Sequence, residues 1–236
     1  MYLTLHHIEK LRPDIWTFWF TTEKRIRYEA GQYIDVTMPH SPTDNRGTVR
    51  TLTISSAPQD PITGITVRFM RDGSGSSYKD ALQLLEPGDI LFATDPIGDF
   101  VLPKDDRIPL VFIAAGLGIT PIRSMAHYMT ISGQKRPVQL VYAVQSPSDL
   151  LFEDILANAP IDYIPLISNP TPEWQGAKGR LSSEVILNLT GDPTNKLFFL
   201  SGPQGLIMQI YDQLLRVGIP RRSIVLDYFP GYHNHA

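Results

Sequence analysis

The chain has 236 residues, a formal net charge of -3 and no cysteine. The missing thiol excludes disulfides, thiolate zinc sites, cysteine nucleophiles and any iron–sulfur cluster held by these residues alone. With 21 basic against 24 acidic residues, nothing suggests a nucleic-acid surface, and 42% hydrophobic with 19% charged residues is ordinary globular composition.

The length suits one large domain or two small ones. The longest apolar run, Pro109 to Ala115, is the length of a buried strand and far short of a membrane span. The opening MYLTLHHIEKLRPDIW lacks a signal peptide's basic region, apolar run and cleavage site. A soluble, cytoplasmic protein is the expectation.

From residue 1 to about 104 the sequence reads as short β segments between turn residues. Ile15 to Thr22 is aromatic and β-branched, Tyr33 to Met38 alternates, Val49 to Ile54 is rich in Thr and Val, and Ile65 to Met70 alternates again. Gly31, Pro58, Pro61, Gly64, Pro87, Gly88 and Pro96 punctuate them, which predicts a small antiparallel barrel or sandwich. One helix is expected over Ser76 to Leu85, stopped by Pro87-Gly88. After Leu102-Pro103 the texture changes. Strands at Leu110–Ala115, Val138–Val144, Tyr163–Ile167, Leu197–Leu200 and Ile224–Leu226 alternate with helices at Pro121–Ser132, Leu150–Asn158 and Gly205–Val217. That alternation predicts a parallel sheet covered on both faces. The domains expected are therefore 1–104 and 105–236.

Three segments carry chemistry. Gly116-Leu117-Gly118-Ile119-Thr120-Pro121 follows a strand and opens a helix, where backbone N–H groups and the helix dipole suit a phosphate. Pro121 stands where the third glycine of a G-x-G-x-x-G fingerprint would be, so the turn alone fits a plain strand-to-helix connection as well. Arg50-Thr51-Leu52-Thr53 puts a guanidinium fork and hydroxyls on a β segment, able to hold a phosphate and a ring nitrogen, or simply to make a polar-faced strand. Gly73-Ser74-Gly75-Ser76-Ser77-Tyr78, at the predicted helix start, offers a second phosphate cradle or an ordinary capped loop.

The order of these segments is more specific than any of them. Arg50-x-x-Thr53, the Gly/Ser loop, Asp95-Pro96-Ile97-Gly98-Asp99-Phe100, the Gly116 turn, Ser201-Gly202-Pro203 and Asp227-Tyr228-Phe229 follow one another as in the ferredoxin–NADP reductase-like flavoprotein family, which the chain resembles over about residues 5–232. The resemblance implies an N-terminal flavin-binding barrel and a C-terminal α/β domain for a nicotinamide dinucleotide. It assigns Arg50 to the flavin pyrophosphate and Thr53 to the neighbourhood of flavin N5. It assigns Gly75, Ser76 and Ser77, beside Gly73, to the pyrophosphate helix, and adds Thr51 to the flavin site. Leu52 replaces the usual stacking aromatic. Gly116, Gly118, Thr120 and Pro121 match the dinucleotide phosphate turn, followed by Gly202 and Pro203. Ser201 stands where many relatives carry cysteine beside the nicotinamide. Asp227 matches an acidic residue near the flavin and Phe229 the aromatic covering it, with Tyr232 competing for that place.

For the choice between NADH and NADPH, Gln145 and Ser168-Asn169 occupy positions where relatives selecting NADPH often offer Arg, whereas Lys178 and Arg180 could reach a 2′-phosphate or lie in a solvated loop. The implied activity is an FAD-dependent NAD(P)H oxidoreductase, with Thr53, Ser201, Asp227 and Phe229 nearest the chemistry. It would pass a hydride between nicotinamide and flavin N5, and single electrons to or from a separate carrier such as ferredoxin. Two other readings keep the fold: a reductase using flavin as a diffusing substrate, and an electron-transfer subunit that turns over only within a larger complex.

Overall fold

The computed structural model describes residues 1–70 and 75–227, and the chain divides into two units, Met1–Val101 and Leu102–Ala236. In the first, β1 (Tyr2–Arg12), β2 (Ile15–Thr21), β3 (Tyr33–Thr37), β4 (Val49–Thr53), β5 (Thr63–Arg68) and β6 (Ile90–Ala93) form an antiparallel sheet in the order β4-β3-β6-β1-β2-β5. A bridge between Ile54 and Ile65, with Ser55 N–H donating to Gly64 O at 2.8 Å, joins the two edge strands. The sheet thereby closes into a barrel, which removes its unpaired edges. Alternate residues point inward, as the two-residue period of a strand requires. Leu3 and Leu5, Phe18 and Phe20, Ile34 and Val36, and Ile65 and Val67 are buried together. The short helix α1 (Ser77–Leu82) adds Tyr78 and Leu82 to this core, and the Tyr78 hydroxyl donates to Val36 O at 3.1 Å.

In the second unit, β7 (Leu110–Ala115), β8 (Val138–Val144), β9 (Asp162–Ile167), β10 (Ala177–Lys178), β11 (Leu197–Ser201) and β12 (Ile224–Leu226) are parallel, in the order β10-β9-β8-β7-β11-β12. Helices α2 (Ile119–Ser132), α3 (Glu153–Asn158), α4 (Ser183–Thr190) and α5 (Gln204–Arg216) connect them. All six residues of β7 are buried, as expected for a strand covered on both faces. On one face Ile186 of α4 and Ile207, Ile210 and Leu214 of α5 pack with Val111, Ile113, Val141, Phe198 and Leu200. The chain runs outward from β7 to β10 and then returns to the other side of β7 as β11. The strand order therefore reverses between β7 and β11, where sheets of this kind open a crevice at the carboxyl ends of their strands.

Each strand expected from the sequence is present, with ends shifted by at most two residues. Helices α1 and α5 start within one residue of the expected positions, though α1 ends at Leu82 rather than Leu85, and the other two expected helices start further away. A 3-10 turn over Gly116–Gly118 leads straight into α2, so that helix begins at Ile119 rather than Pro121. α3 begins at Glu153 rather than Leu150, because Ser146 and Asp149 close a capping box around a 3-10 turn and Phe152 sits at φ +58°. The sequence reading passed over β1, β6, β10 and α4. Among the described residues no helix is long and apolar enough to cross a membrane, and no group of three or more metal-type side chains gathers.

Candidate functional sites, one in each unit

In the barrel, the pairing of β3 with β4 decides which way each candidate faces. Directly opposed residues of an antiparallel pair share a face. Val36 opposes Arg50 and Ile34 opposes Leu52, so Arg50 and Leu52 lie on the side of the buried Ile34 and Val36. Leu52 packs against the barrel core. Thr51 and Thr53 lie on the other side, opposed to Asp35 and Tyr33. Thr51 donates its hydroxyl to Asp35 Oδ1 at 2.5 Å. Beside Thr53, Tyr33 bonds Ile97 through both backbone groups, and Gly98, at φ +117°, leaves room for the Tyr33 ring, which a Cβ would meet at 2.8 Å. The Asp95–Phe100 segment is thus seated next to Thr53 through backbone pairing.

Arg50 reaches α1. Its Nη1 donates to the carbonyls of Arg46 (2.8 Å), Gly47 (3.1 Å) and Val49 (2.6 Å), and its guanidinium lies 4.9 Å from the Tyr78 ring centre. Nη2 is buried without a hydrogen-bond partner, 3.8 Å from Asp44 Oδ1. An orphaned guanidinium N–H is a costly thing to bury, and it fits an anion. Ser76 caps α1, its hydroxyl accepting from Lys79 N–H at 3.3 Å. Arg46 Nη2 donates to Gly75 O at 3.3 Å. Burial, together with the charges of Arg46, Arg50 and Arg68, pushes the Lys79 ammonium below its ordinary pKa. This concentration of positive charge beside Gly75, Ser76 and Ser77 fits the pyrophosphate of FAD. Gly73 lies outside the described residues.

Asp44, Arg46 and Lys79 belong to this cluster and were missed by sequence reasoning. The signal for the first two was available: Arg46 N–H donates to Asp44 Oδ1 at 2.9 Å, an Asx turn of the kind Asp-Asn-Arg-Gly encodes.

In the second unit the candidates gather at the switch point. The Gly116–Gly118 turn and the Ser201–Gly202 step pack so closely that a Cβ on Gly118 would stand 2.3 Å from Ser201 O and 2.5 Å from Gly202 N. A Cβ on Gly202 would meet that of Ala115 at 2.9 Å. Gly118 therefore has a packing role that involves no ligand, and Gly116, at φ +55°, supplies the left-handed turn. The Thr120 hydroxyl donates to Leu117 O at 3.1 Å, and Pro121 is buried in the first turn of α2, whose N-terminus has no side-chain cap. Ile119 N–H is turned onto Gly116 O and Leu117 O and Pro121 has none, so it is the glycine turn ahead of α2 whose N–H groups suit a dinucleotide phosphate. Pro203 precedes α5 in the same loop as Gly202.

At the end of β11, Ser201 is 1% exposed and donates its hydroxyl to Asp227 Oδ2 at 2.6 Å. Asp227 follows β12, held by its N–H on Leu200 O at 2.9 Å. Desolvation pushes its carboxyl up to about 6, with the Ser201 hydrogen bond pulling the other way. Gln145, Ser168 and Lys178 sit at the carboxyl ends of three neighbouring strands, tied by Asn169 N–H to Gln145 O (2.7 Å) and Gly179 N–H to Ile167 O (2.9 Å). Lys178 and Arg180 are exposed there. Phe229 and Tyr232 lie outside the described residues.

Known proteins repeat this division. Residues 2–102 match the oxidoreductase FAD-binding domain and residues 112–212 the oxidoreductase NAD-binding domain. The chain is 30% identical over 221 residues to NADH oxidoreductase HCR of Escherichia coli (strain K12), covering 93% of this chain and 65% of that protein's length. It is 26% identical to ferredoxin–NADP reductase B of Sorangium cellulosum (strain So ce56), covering 87% of each. The FAD/NAD-binding domain of nitric oxide dioxygenase from Vibrio cholerae O1 biovar El Tor has the same fold, with a TM-score of 0.82 over 97% of this chain and 98% of that one at 22% identity. An FAD-binding and an NAD-binding oxidoreductase domain thus account for almost the whole length, and the chain belongs to the ferredoxin–NADP reductase-like family of FAD- and NAD(P)-binding oxidoreductases.

Proposed function

We propose that this chain is an FAD-dependent NAD(P)H oxidoreductase serving a separate one-electron carrier such as ferredoxin, in the cytoplasm. The observation carrying this reading is that one chain pairs the Arg50 cradle with the Gly116 turn, each within the matching cofactor-binding domain. When bound, the flavin supplies hydride exchange with nicotinamide and one-electron exchange with the carrier, chemistry that no side chain here can perform. The residues supply binding and electrostatics. Arg50 Nη2 and the Ser76–Ser77 turn hold the FAD pyrophosphate, with Arg46 and Lys79 balancing its charge. Thr51 and Thr53 flank the flavin from one side of β4, Thr53 with a hydroxyl able to donate or accept toward N5, while Leu52 packs on the barrel core behind them. Gly116, Gly118, Thr120 and Pro121, with Gly202 and Pro203, receive the dinucleotide phosphates. Gln145, Ser168, Lys178 and Arg180 border the adenosine end. The Ser201 hydroxyl donates to Asp227 Oδ2 where the nicotinamide would lie, and Phe229 or Tyr232 would be the aromatic that covers the flavin, as the family's pattern implies. With no cysteine among the 236 residues, an iron–sulfur carrier's ligands lie outside them.

The test is the visible spectrum of the desalted protein, followed by anaerobic reduction with NADH and NADPH in turn. Stoichiometric FAD, bleached by one nucleotide faster than the other, is the expected result. A colourless protein active only with added flavin would favour the diffusing-flavin reading. That second reading has one observation behind it: a carboxylate already occupies part of the cradle.

A further inference from the structure

Asp44, in the connection between β3 and β4, places its carboxylate on the donors that a pyrophosphate would use. Oδ2 accepts from Ser77 N–H at 2.9 Å and from Arg46 Nη2 and Nε at 2.9 and 3.2 Å. Oδ1 accepts from Arg46 N–H at 2.9 Å and stands 3.8 Å from the orphaned Arg50 Nη2. The carboxylate is held in place from its own backbone. Asp44 N–H donates to Ser77 Oγ at 2.9 Å, Ser77 Oγ is 2.9 Å from His40 Nε2, and His40 Nδ1 is 2.8 Å from Met38 O. Since Met38 O can only accept, His40 carries its proton on Nδ1, and the Ser77 hydroxyl donates to Nε2 while accepting from Asp44. Asp44 thus fills one side of the cradle, and Arg50 Nη1 is engaged by three carbonyls of its own loop. Of the guanidinium's two terminal nitrogens, only Nη2 is left for an incoming anion.

We propose that Asp44 is an affinity-determining residue for FAD: its carboxylate competes with the pyrophosphate for Ser77 N–H, Arg46 and Arg50, so the flavin is held less tightly than these donors alone would hold it. The inference rests on the reading above that these groups face the pyrophosphate. Two anions sharing one set of donors repel each other, and a carboxylate that occupies a donor must yield it before a phosphate oxygen can take it. Among the described residues Arg46, Arg50, Arg68 and Lys79 supply four positive charges, against which Asp44 and Asp80, whose Oδ1 is 3.1 Å from the position of a Cβ on Gly75, already set two negative ones. Replacing Asp44 by a neutral side chain of the same shape keeps an oxygen for Ser77 N–H and removes the repulsion.

The experiment is flavin release from the diluted protein, followed by recovery of free FAD fluorescence, for the wild type, Asp44→Asn and Asp44→Ser. Binding of ADP and of riboflavin is measured beside it. The neutral variants should hold FAD about tenfold more tightly, the scale of one charge acting on another across a few ångströms of partly wet protein. ADP, which carries the pyrophosphate without the ring system, should gain similarly, and riboflavin, which has no phosphate, should not. FAD and ADP held equally or more weakly by the variants would overturn the proposal, as would an equal gain for riboflavin. Variants that no longer fold, judged by thermal melting, would make Asp44 a structural brace and overturn it too. If neither wild type nor variants bind FAD at all, the flavoprotein reading itself fails.

Discussion

The two anion sites are built by opposite means. In the barrel the work is done by side chains: Arg46, Arg50 and Lys79 converge on the start of α1, and Asp44 balances them. At the switch point of the parallel sheet it is done by backbone, with two glycine-bearing loops pressed together and an uncapped helix N-terminus. A short helix such as α1 brings little dipole and needs charges to hold a phosphate, whereas the Gly116–Gly118 turn runs straight into the 14 residues of α2, whose dipole adds to its own N–H groups. A side-chain site can be weakened one residue at a time with the fold intact. A backbone site cannot, because its glycines are also packing residues.

The largest expected effect follows from that difference. Gly118→Val should cost about 3 kcal/mol or more and unfold the second unit, since its Cβ would lie 2.3 Å from the Ser201 carbonyl oxygen. Thermal melting and far-ultraviolet circular dichroism would read it. A well-folded Gly118→Val protein with weakened dinucleotide binding alone would make this site like the first. By contrast, Arg50→Ala should leave the barrel folded, because Arg50 stands at the end of a row of carbonyls that water can serve. FAD affinity should drop about ten- to a hundredfold, the worth of a charged hydrogen bond. Gel filtration that leaves flavin occupancy unchanged would remove Arg50 from the cradle.

How much of this was legible in the sequence differs in the same way. Leu110–Ala115 and Ile224–Leu226 are uniform apolar runs and Val138–Val144 is broken only by Gln139, and such strands announce themselves. β1 does not. Its pairing with β2 shifts between Leu5 and His7 and again between Lys10 and Arg12, so a bulged strand loses the two-residue period on which recognition depends. α4 reads Ser-Glu-Val-Ile-Leu-Asn-Leu-Thr, where Val, Ile and Thr hide a helix that is fixed by its Ser182 cap and by burial of Ile186. Gly118 was visible as a glycine. Its partner across the turn, Ser201 O, was not, because contact between residues 118 and 201 exists only once β7 and β11 are neighbours. Arg50 and Ser77 were legible as types of residue, but the carboxylate between them was not, because nothing in a linear reading says which way the Asp44 loop folds.

A smaller effect tests the half-buried carboxylate beside Ser201. Asp227 titrates near 6 in the folded protein, above the ordinary carboxyl value of 3.8. Between those values the folded state binds more protons than the unfolded one, so stability is lost as pH rises through that window and the full penalty stands above pH 6. Asp227→Asn should remove it, raising Tm by several degrees at pH 7.5, with a ceiling of about 3 kcal/mol, and leaving Tm unchanged near pH 3.5. An equal Tm for both proteins at pH 7.5 would mean that the carboxylate is better solvated than its place between β11 and β12 suggests.

The smallest effect asks whether the second unit is wholly a backbone site. Lys178 and Arg180 are exposed at the end of β10, three strands from β7, at the same carboxyl edge as Gln145 and Ser168. A 2′-phosphate bound there would be met by mobile side chains in water, where an ion pair is worth up to about 1 kcal/mol. Lys178→Gln should therefore raise KM for NADPH about three- to fivefold, leave KM for NADH unchanged, and lose its effect at high salt. If both values stay the same, the loop is simply solvated, and the contrast between a charged barrel site and an uncharged sheet site holds throughout. If NADPH alone suffers, the sheet also uses charge, but only at the adenosine end of its ligand, where the backbone turn does not reach.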